Sequence, residues 1–385
     1  MTSTITLPSA GRVTRNGTYP LGGVFCTLSR SILTMTGVPQ QATLADDRNW
    51  AFEAVQSVSR TFALSVELLD EPMTEWVCTG YLLCRTADTI EDEPTIPMER
   101  RAELLETFDA MLAEESETTV EDFLDAVEPV TPADGGDDWI VLGQTDRIVR
   151  LWQSFPGPVQ NGMRSITREM ATGMADILRR HQDSDGLRLE SLDELEEYCW
   201  YVAGTVGQLF MNLQAVQADP DDPKPDPEDA RAFALLLQLV NIAKDVRADW
   251  AEENNVYLPG DWLAEEGLDH EAVADPDEST TVARVVNRVV DQAADYASGA
   301  QRYLQTVPEE DSGGLLEATA LPYLLALGTI RELRDRTVDA VEQPDAVKLE
   351  REEVEHLFAE ADDGFTREQV RELAETVQAG PYHHQ

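Results

Sequence analysis

From Asp47 onward, apolar residues recur at every third or fourth position along most of the chain. The spacing predicts helices over Trp50–Leu69, Thr74–Ile90, Arg100–Ala113, Val159–His181, Leu192–Ala218, Pro227–Trp250, Thr280–Val307, Gly314–Glu342 and Arg351–Ala359. No stretch alternates with period two, and no glycine-rich strand–turn–helix signature occurs. The expected fold is all-α: a single-domain helical bundle whose long helices surround a central cavity. Turn chemistry sets the breaks at Glu93-Pro94, Thr131–Asp138 and Asp219–Pro227. Residues 114–138 are acidic and rich in helix breakers, and read as a solvated connection. The catalytic helical domain is expected over 46–360. Residues 361–385 follow as a C-terminal helix, amphipathic over 365–378, and a tail.

Charge narrows the partners. The chain carries 74 Asp and Glu against 29 Lys and Arg, a net charge of −45. That excludes nucleic acid, whose phosphates need basic residues, and a polybasic grip on anionic lipid. Only three basic residues are lysines: Lys224, Lys244 and Lys348. Excess carboxylate with almost no lysine points to a salt-loaded cytoplasm, where a Debye length of about 3 Å screens self-repulsion. Cys26, Cys78, Cys84 and Cys199 lack zinc or redox spacing, and Cys78 and Cys84, in an apolar stretch, read as buried free thiols of a reducing cytosol. No apolar run approaches the roughly 18 residues that span a bilayer.

Residues 1–34 are compositionally foreign. They hold no Asp or Glu, where the mean density of the chain predicts about six. Met35 follows at once. The expectation is a translation start at Met35, or a disordered tail before it.

Two segments set carboxylates at helical spacing within apolar surroundings. In Tyr81–Glu93, Asp88 and Asp92 share a helix face, Glu91 joins them at i+3, and Arg85 lies on the same stripe. In Gln238–Asp249, Asn241, Asp245 and Asp249 form a ladder at i, i+4 and i+8. Like charges at that spacing destabilise a helix unless a cation sits between them. In so acidic a chain one such motif is weak evidence of function, because surface acids produce it by chance. Two ladders in buried-looking helices are stronger, and two facing ladders would hold Mg²⁺ against a phosphorylated substrate.

Three further motifs complete a set: Ser59-Arg60-Thr61-Phe62, Tyr198–Gly207 and Asn255–Pro259. With the ladders they make five ordered motifs over about residues 50–355. Together they resemble the squalene/phytoene synthase family, the head-to-head branch of the all-helical trans-isoprenyl transferases. Asp88-Thr89-Ile90-Glu91-Asp92 looks like the squalene branch, and the acidic composition looks like its halophilic archaeal members. Val202–Gly207 and Val256–Pro259 also look like phytoene synthases.

The resemblance implies an isoprenoid-synthase-type bundle, acting as a monomer. It implies that Asp88, Glu91, Asp92, Asp245 and Asp249 hold Mg²⁺ against two farnesyl diphosphates. Ser59, Arg60 and Arg85 would contact diphosphate oxygens. Gln238 and Asn241 would line the second diphosphate site. Tyr81 and Tyr201 would stand near the reacting carbons, with Phe62, Phe210 and Leu213 in an apolar wall that excludes water. Lys348 and Arg351 resemble residues that meet NADPH. The implied reaction passes through presqualene diphosphate to squalene. Alternatives are a phytoene synthase joining C20 chains without reductant, a dehydrosqualene synthase, and a non-catalytic relative.

Two departures stand out. Asn254-Asn255 occupy the place of the family's frequent Gly-Arg, and Lys244 stands where squalene synthases usually carry Arg. The chain also lacks the C-terminal membrane anchor of eukaryotic members, which implies peripheral, transient membrane contact for product release.

Overall fold

The computed structural model describes residues 43–217, 224–309, 313–344 and 346–384. The foreign segment 1–34 and Cys26 lie outside them. The described helices are α1 (Leu44–Val58), α2 (Arg60–Glu67), α3 (Met73–Glu91), α4 (Met98–Leu112), α5 (Val120–Val127), α6 (Gly136–Leu142), α7 (Thr145–Ser154), α8 (Gly157–Arg180), α9 (Leu192–Cys199), α10 (Thr205–Gln217), α11 (Pro227–Ala248), α12 (Gly260–Glu265), α13 (Ser279–Leu304), α14 (Leu315–Glu342), α15 (Arg351–Asp362) and α16 (Arg367–Ala379). Among the described residues the β structure is one isolated parallel bridge, Arg188 with Val256. The fold is all-α, as the periodicity predicts.

Capping explains several boundaries. Thr43 with Asp46, Thr119 with Asp122, and Thr366 with Gln369 form capping boxes that satisfy the first N–H groups of α1, α5 and α16. The expected helix Trp50–Leu69 is two helices, because Ser59 takes an extended conformation (φ −152°, ψ 98°). Its N–H bonds to Val55 O at 2.9 Å, closing α1, and its Oγ accepts from Phe62 N at 3.4 Å, opening α2.

The solvated connection expected over 114–138 is corrected. It contains α5 and the start of α6, and Phe123 is fully buried against Phe108 with ring centroids 5.2 Å apart. Phe123 and Val127 lie one helical turn apart and bury together. The density of acids around them hid that spacing.

The helices pack in two groups. Helix α8 carries α3, α4 and α10, while α11 lies against α13 and α14. Helix α10 touches both α3 and α11, and Asp92 at the end of α3 is close enough to Asp249 at the end of α11 to repel it. On the outer side, Asp47 of α1 is completely buried between two guanidinium groups of α7. Arg147 Nε donates to its Oδ1 at 2.7 Å, and Arg150 Nε to its Oδ2 at 3.0 Å.

Candidate active site

Between Trp76 and Asp92 every residue is buried except Tyr81, Arg85, Asp88 and Asp92. Their spacing of four, three and four traces one stripe of α3. Along α11 the partly open positions include Gln238, Asn241, Lys244, Asp245 and Asp249, again one stripe on a helix buried elsewhere. Both ladders therefore include partly open positions on helices that are otherwise buried, with Glu91 buried beside the first. This separates them from the solvated acids of the surface.

The electrostatics are those of crowded, desolvated carboxylates. Asp88 keeps 24% of its side chain exposed, open enough to meet a ligand. Burial nonetheless pushes its carboxyl up to about 7, against the pull of Arg85, with Asp92 and Asp138 adding repulsion. Glu91 and Asp249 are raised as well, first by burial and then by neighbouring carboxylates; burial also raises Asp92, against a hydrogen bond with Glu91 and the charges of Arg85 and Arg101. Asp92 of α3 acts on Asp249 and on Glu253 beyond α11, so the two stripes feel each other across the gap. All these acids sit at helix C-termini, where the macrodipole favours positive charge. Arg85 answers part of the need, reaching Asp138 at 2.7 Å and Asp88 at 3.7 Å. Lys244 pairs with Asp245.

The donor set suits a hard divalent cation. Among the described residues no three acids converge as closely as an assembled metal centre requires. Glu91 is 1% exposed, however, and its Oε1 has no hydrogen-bond partner. An orphaned carboxylate oxygen among repelling acids is what an Mg²⁺ ion would satisfy.

An aromatic patch adjoins this cluster. Phe62 stacks on Tyr81 with centroids 4.1 Å apart, and its ring meets Phe210 edge-on at 6.2 Å. Ser59 is hydrogen-bonded to Tyr81, whose hydroxyl burial pushes up to about 12, so it stays protonated at neutral pH. Arg60 opens α2 at an exposed position beside Ser59, and Leu213 is fully buried. Ser59, Phe62, Tyr81, Arg85 and Asp88 are thus tied in one chain of contacts.

Tyr201 has different surroundings. It lies in a π-helical segment, Trp200–Gly204, with its ring over Gly173 of α8, where a Cβ would stand 2.2 Å away. Burial raises its hydroxyl, and the next largest influences are Glu197, Glu169 and Asp176. Lys348 precedes α15 and Arg351 opens it, the latter paired with Glu355 at 2.6 Å. Helix α15 packs on α14.

Sequence reasoning missed several neighbours. Asp138 was hidden in a run of acids, yet it holds Arg85. Arg101, 3% exposed, donates to the Glu91 carbonyl oxygen. Glu253 closes a second π turn, Asp249–Glu253, which ends at Asn254 in the left-handed conformation (φ 59°). This accounts for one departure in the motif: asparagine tolerates the backbone angle that glycine ordinarily supplies. Asn255 is buried and accepts from Leu187 N at 2.9 Å. The segment 187–190 is laced to 256–260 by Val256 N→Leu187 O and Gly260 N→Leu189 O, both 2.9 Å.

At Gly186 a Cβ would stand 1.8 Å from the Asn254 carbonyl oxygen. Gly186→Ala is therefore expected to lower stability by about 1–3 kcal/mol, because backbone must move. A denaturant midpoint equal to that of the parent protein would refute this close approach.

Comparison with known proteins agrees with the geometry. The family description "Squalene/phytoene synthase" matches residues 55–353. The squalene synthase of Schizosaccharomyces pombe is 26% identical over 281 residues, 72% of this chain and 58% of its own. Human squalene synthase is 26% identical over 302 residues, 75% of this chain and 64% of its own. The chain thus spans about three fifths of the length of these curated relatives. A solved complex of TcSQS with the ligand E5700 has a similar fold, with a TM-score of 0.69 at 22% identity. That likeness covers 88% of this chain and 99% of the other.

Proposed function

The chain belongs to the squalene/phytoene synthase family, and from that premise we propose that it is a squalene synthase. It would join two farnesyl diphosphates head to head to presqualene diphosphate and reduce that to squalene with NADPH. The observation that carries this reading is the pair of acidic stripes, Asp88 and Asp92 with Glu91 buried beside them, and Asp245 and Asp249, on open faces of two otherwise buried helices.

Mg²⁺ bound there supplies the charge that neutralises a departing diphosphate. Arg85 and Arg60 bind diphosphate oxygens, for which a guanidinium fork is suited. Gln238 and Asn241 line the second diphosphate position from α11. Phe62, Tyr81 and Phe210 exclude water from the allylic chain, and the protonated Tyr81 hydroxyl presents a fixed dipole beside it. Lys348 and Arg351 are assigned to NADPH, which supplies hydride when bound. Tyr201 is assigned to the reacting carbons on its motif alone, and its packing over Gly173 gives that role no added support.

The protein is taken to act as a monomer in a high-salt cytoplasm, with residues 1–34 dispensable and 46–360 catalytic. Among the described residues no helix is long and apolar enough to cross a membrane. Transient membrane contact for product release belongs to the same proposal.

The test is an assay of the full chain with C15 or C20 diphosphate, with and without Mg²⁺ and NADPH. Squalene from C15 with both additions is the expected result. Product from C20 alone would replace this reading by phytoene synthase. A C15 product indifferent to NADPH would indicate a dehydrosqualene synthase.

A further inference from the structure

We propose that Asp138 is a positioning residue for the diphosphate site: it grips Arg85 by Nε, so that the terminal nitrogens of the guanidinium meet the ligand already oriented. This rests on reading Arg85 as a diphosphate contact, as proposed above.

Arg85 Nε donates to Asp138 Oδ1 at 2.7 Å. Arg85 Nη1 lies 3.7 Å from Asp88 Oδ2, beyond hydrogen-bond length. A guanidinium has one N–H on Nε and four on its terminal nitrogens. Asp138 takes the first and leaves the outer edge, the fork that suits a diphosphate. Side-chain exposures of 26% for Arg85 and 36% for Asp138 keep the pair within reach of a ligand.

The Asp138 carboxylate is itself held in place by α6. Gly136 turns the chain into this helix with φ 66°, and at Gly135 a Cβ would stand 2.6 Å from the Trp139 side chain. Trp139 is 7% exposed and donates from Nε1 to Glu93 Oε2 at 3.1 Å, just past the end of α3. Glu93 is fixed in turn, its Oε1 accepting from Thr95 N at 3.1 Å. Helix α6 is thus tied both to Arg85 and to the turn after α3.

Ordering a long arginine side chain only when the ligand arrives would weaken binding, and Asp138 orders it beforehand. Its charge acts in the opposite sense, because a carboxylate beside a diphosphate repels it. The bland alternative is one more partly exposed ion pair in a very acidic chain, of a kind that contributes little. Removing it would then leave diphosphate binding unchanged, or tighten it by lifting a negative charge. Weakened binding is the opposite sign.

The experiment titrates inorganic diphosphate into the full chain with Mg²⁺ present, by calorimetry. It compares the parent protein with Asp138→Ala, Arg85→Gln, the double variant, and Asp137→Ala at the exposed neighbouring position. The expected result is that Asp138→Ala weakens binding by about tenfold, while the double variant binds no worse than Arg85→Gln, since Asp138 acts through Arg85. Asp137→Ala binds like the parent. Additive losses in the double variant, or an equal loss from Asp137→Ala, overturn the inference. So does parent-like or tighter binding by Asp138→Ala; if Arg85→Gln is still weakened, the reading of Arg85 stands. Parent-like binding by Arg85→Gln, or no binding by the parent, overturns that reading as well. Asp138→Asn keeps an acceptor for Nε and loses the charge, so it serves if Asp138→Ala fails to fold. Binding weaker than the parent's then supports the grip, and binding as tight or tighter overturns it.

Discussion

Asp88→Asn lowers turnover by about 10²–10³-fold and at the same time raises the melting temperature of the metal-free protein. The first effect follows from losing a charged ligand where a leaving diphosphate must be neutralised, a contribution that preorganised electrostatics make in the transition state. The second follows from crowding. Asp88 sits among Asp92 and Asp138 with only Arg85 in opposition, and its carboxyl is held at about 7. Its sign is opposite to that of an ordinary surface acid. Between about pH 4 and 7 the folded protein keeps a proton that the unfolded chain has released. Stability therefore grows as pH falls through that window and is lost as pH rises toward 7. Asparagine is neutral throughout, so the variant has a shallower pH slope there. Melting curves at several pH values and a turnover assay read both effects. Unimpaired turnover would defeat the assignment of Asp88, and a lower melting temperature at pH 8 would defeat the account of its strain.

Asp47→Ala unfolds the protein more readily, by about 3 kcal/mol. Removing one member of a buried ion pair leaves the other charge without a partner, at a typical cost of about 3–5 kcal/mol. The lower end applies because Arg150 is 42% exposed and rehydrates. Arg147 is 19% exposed and also rests on the Trp50 ring at 4.5 Å, so it has less freedom to leave. Burial alone would raise the Asp47 carboxyl, yet the hydrogen bonds from Arg150 and Arg147 outweigh it and hold the group below its ordinary value. The same clamp thus weakens in acid, as pH falls through that lowered value. Loss is expected in the docking of α1 on α7, read as a lower chemical-denaturation midpoint. An Asp47→Ala protein with the parent midpoint would show that the clamp contributes nothing net.

Much of the site is legible in the sequence. Asp88, Glu91, Asp92, Asp245 and Asp249 stand at helical spacing against apolar residues, and periodicity alone puts them on stripes. Ser59 was recognised as part of a motif, although its second role, ending α1 while starting α2, needs the backbone angle to be seen. The missed residues have physical reasons. Glu253 follows Asp249 at i+4, but a π turn intervenes and no α-helical wheel places it. Asp138 came from a distant stretch whose acids looked alike, and nothing local distinguishes the one that meets Arg85. The short helices α5, α6 and α7 lie where breakers and acids mask brief apolar repeats.

The π turn Asp249–Glu253 also bears on how this chain should be compared with others. Such a turn fits one residue more into the space of a regular turn. Each residue of an α-helix advances the azimuth by about 100°. An insertion absorbed as a bulge leaves the helix before it undisturbed and delivers the strap 255–258 to its dock on 187–190 in proper phase. Removing one residue here would re-aim Asn255 and Tyr257 by that angle. Against a chain without this turn, a gap within 249–254 would be needed to keep Asn255 and Tyr257 in correspondence. No arginine lies between Arg247 and Arg284, so the arginine expected at Asn255 is replaced rather than displaced.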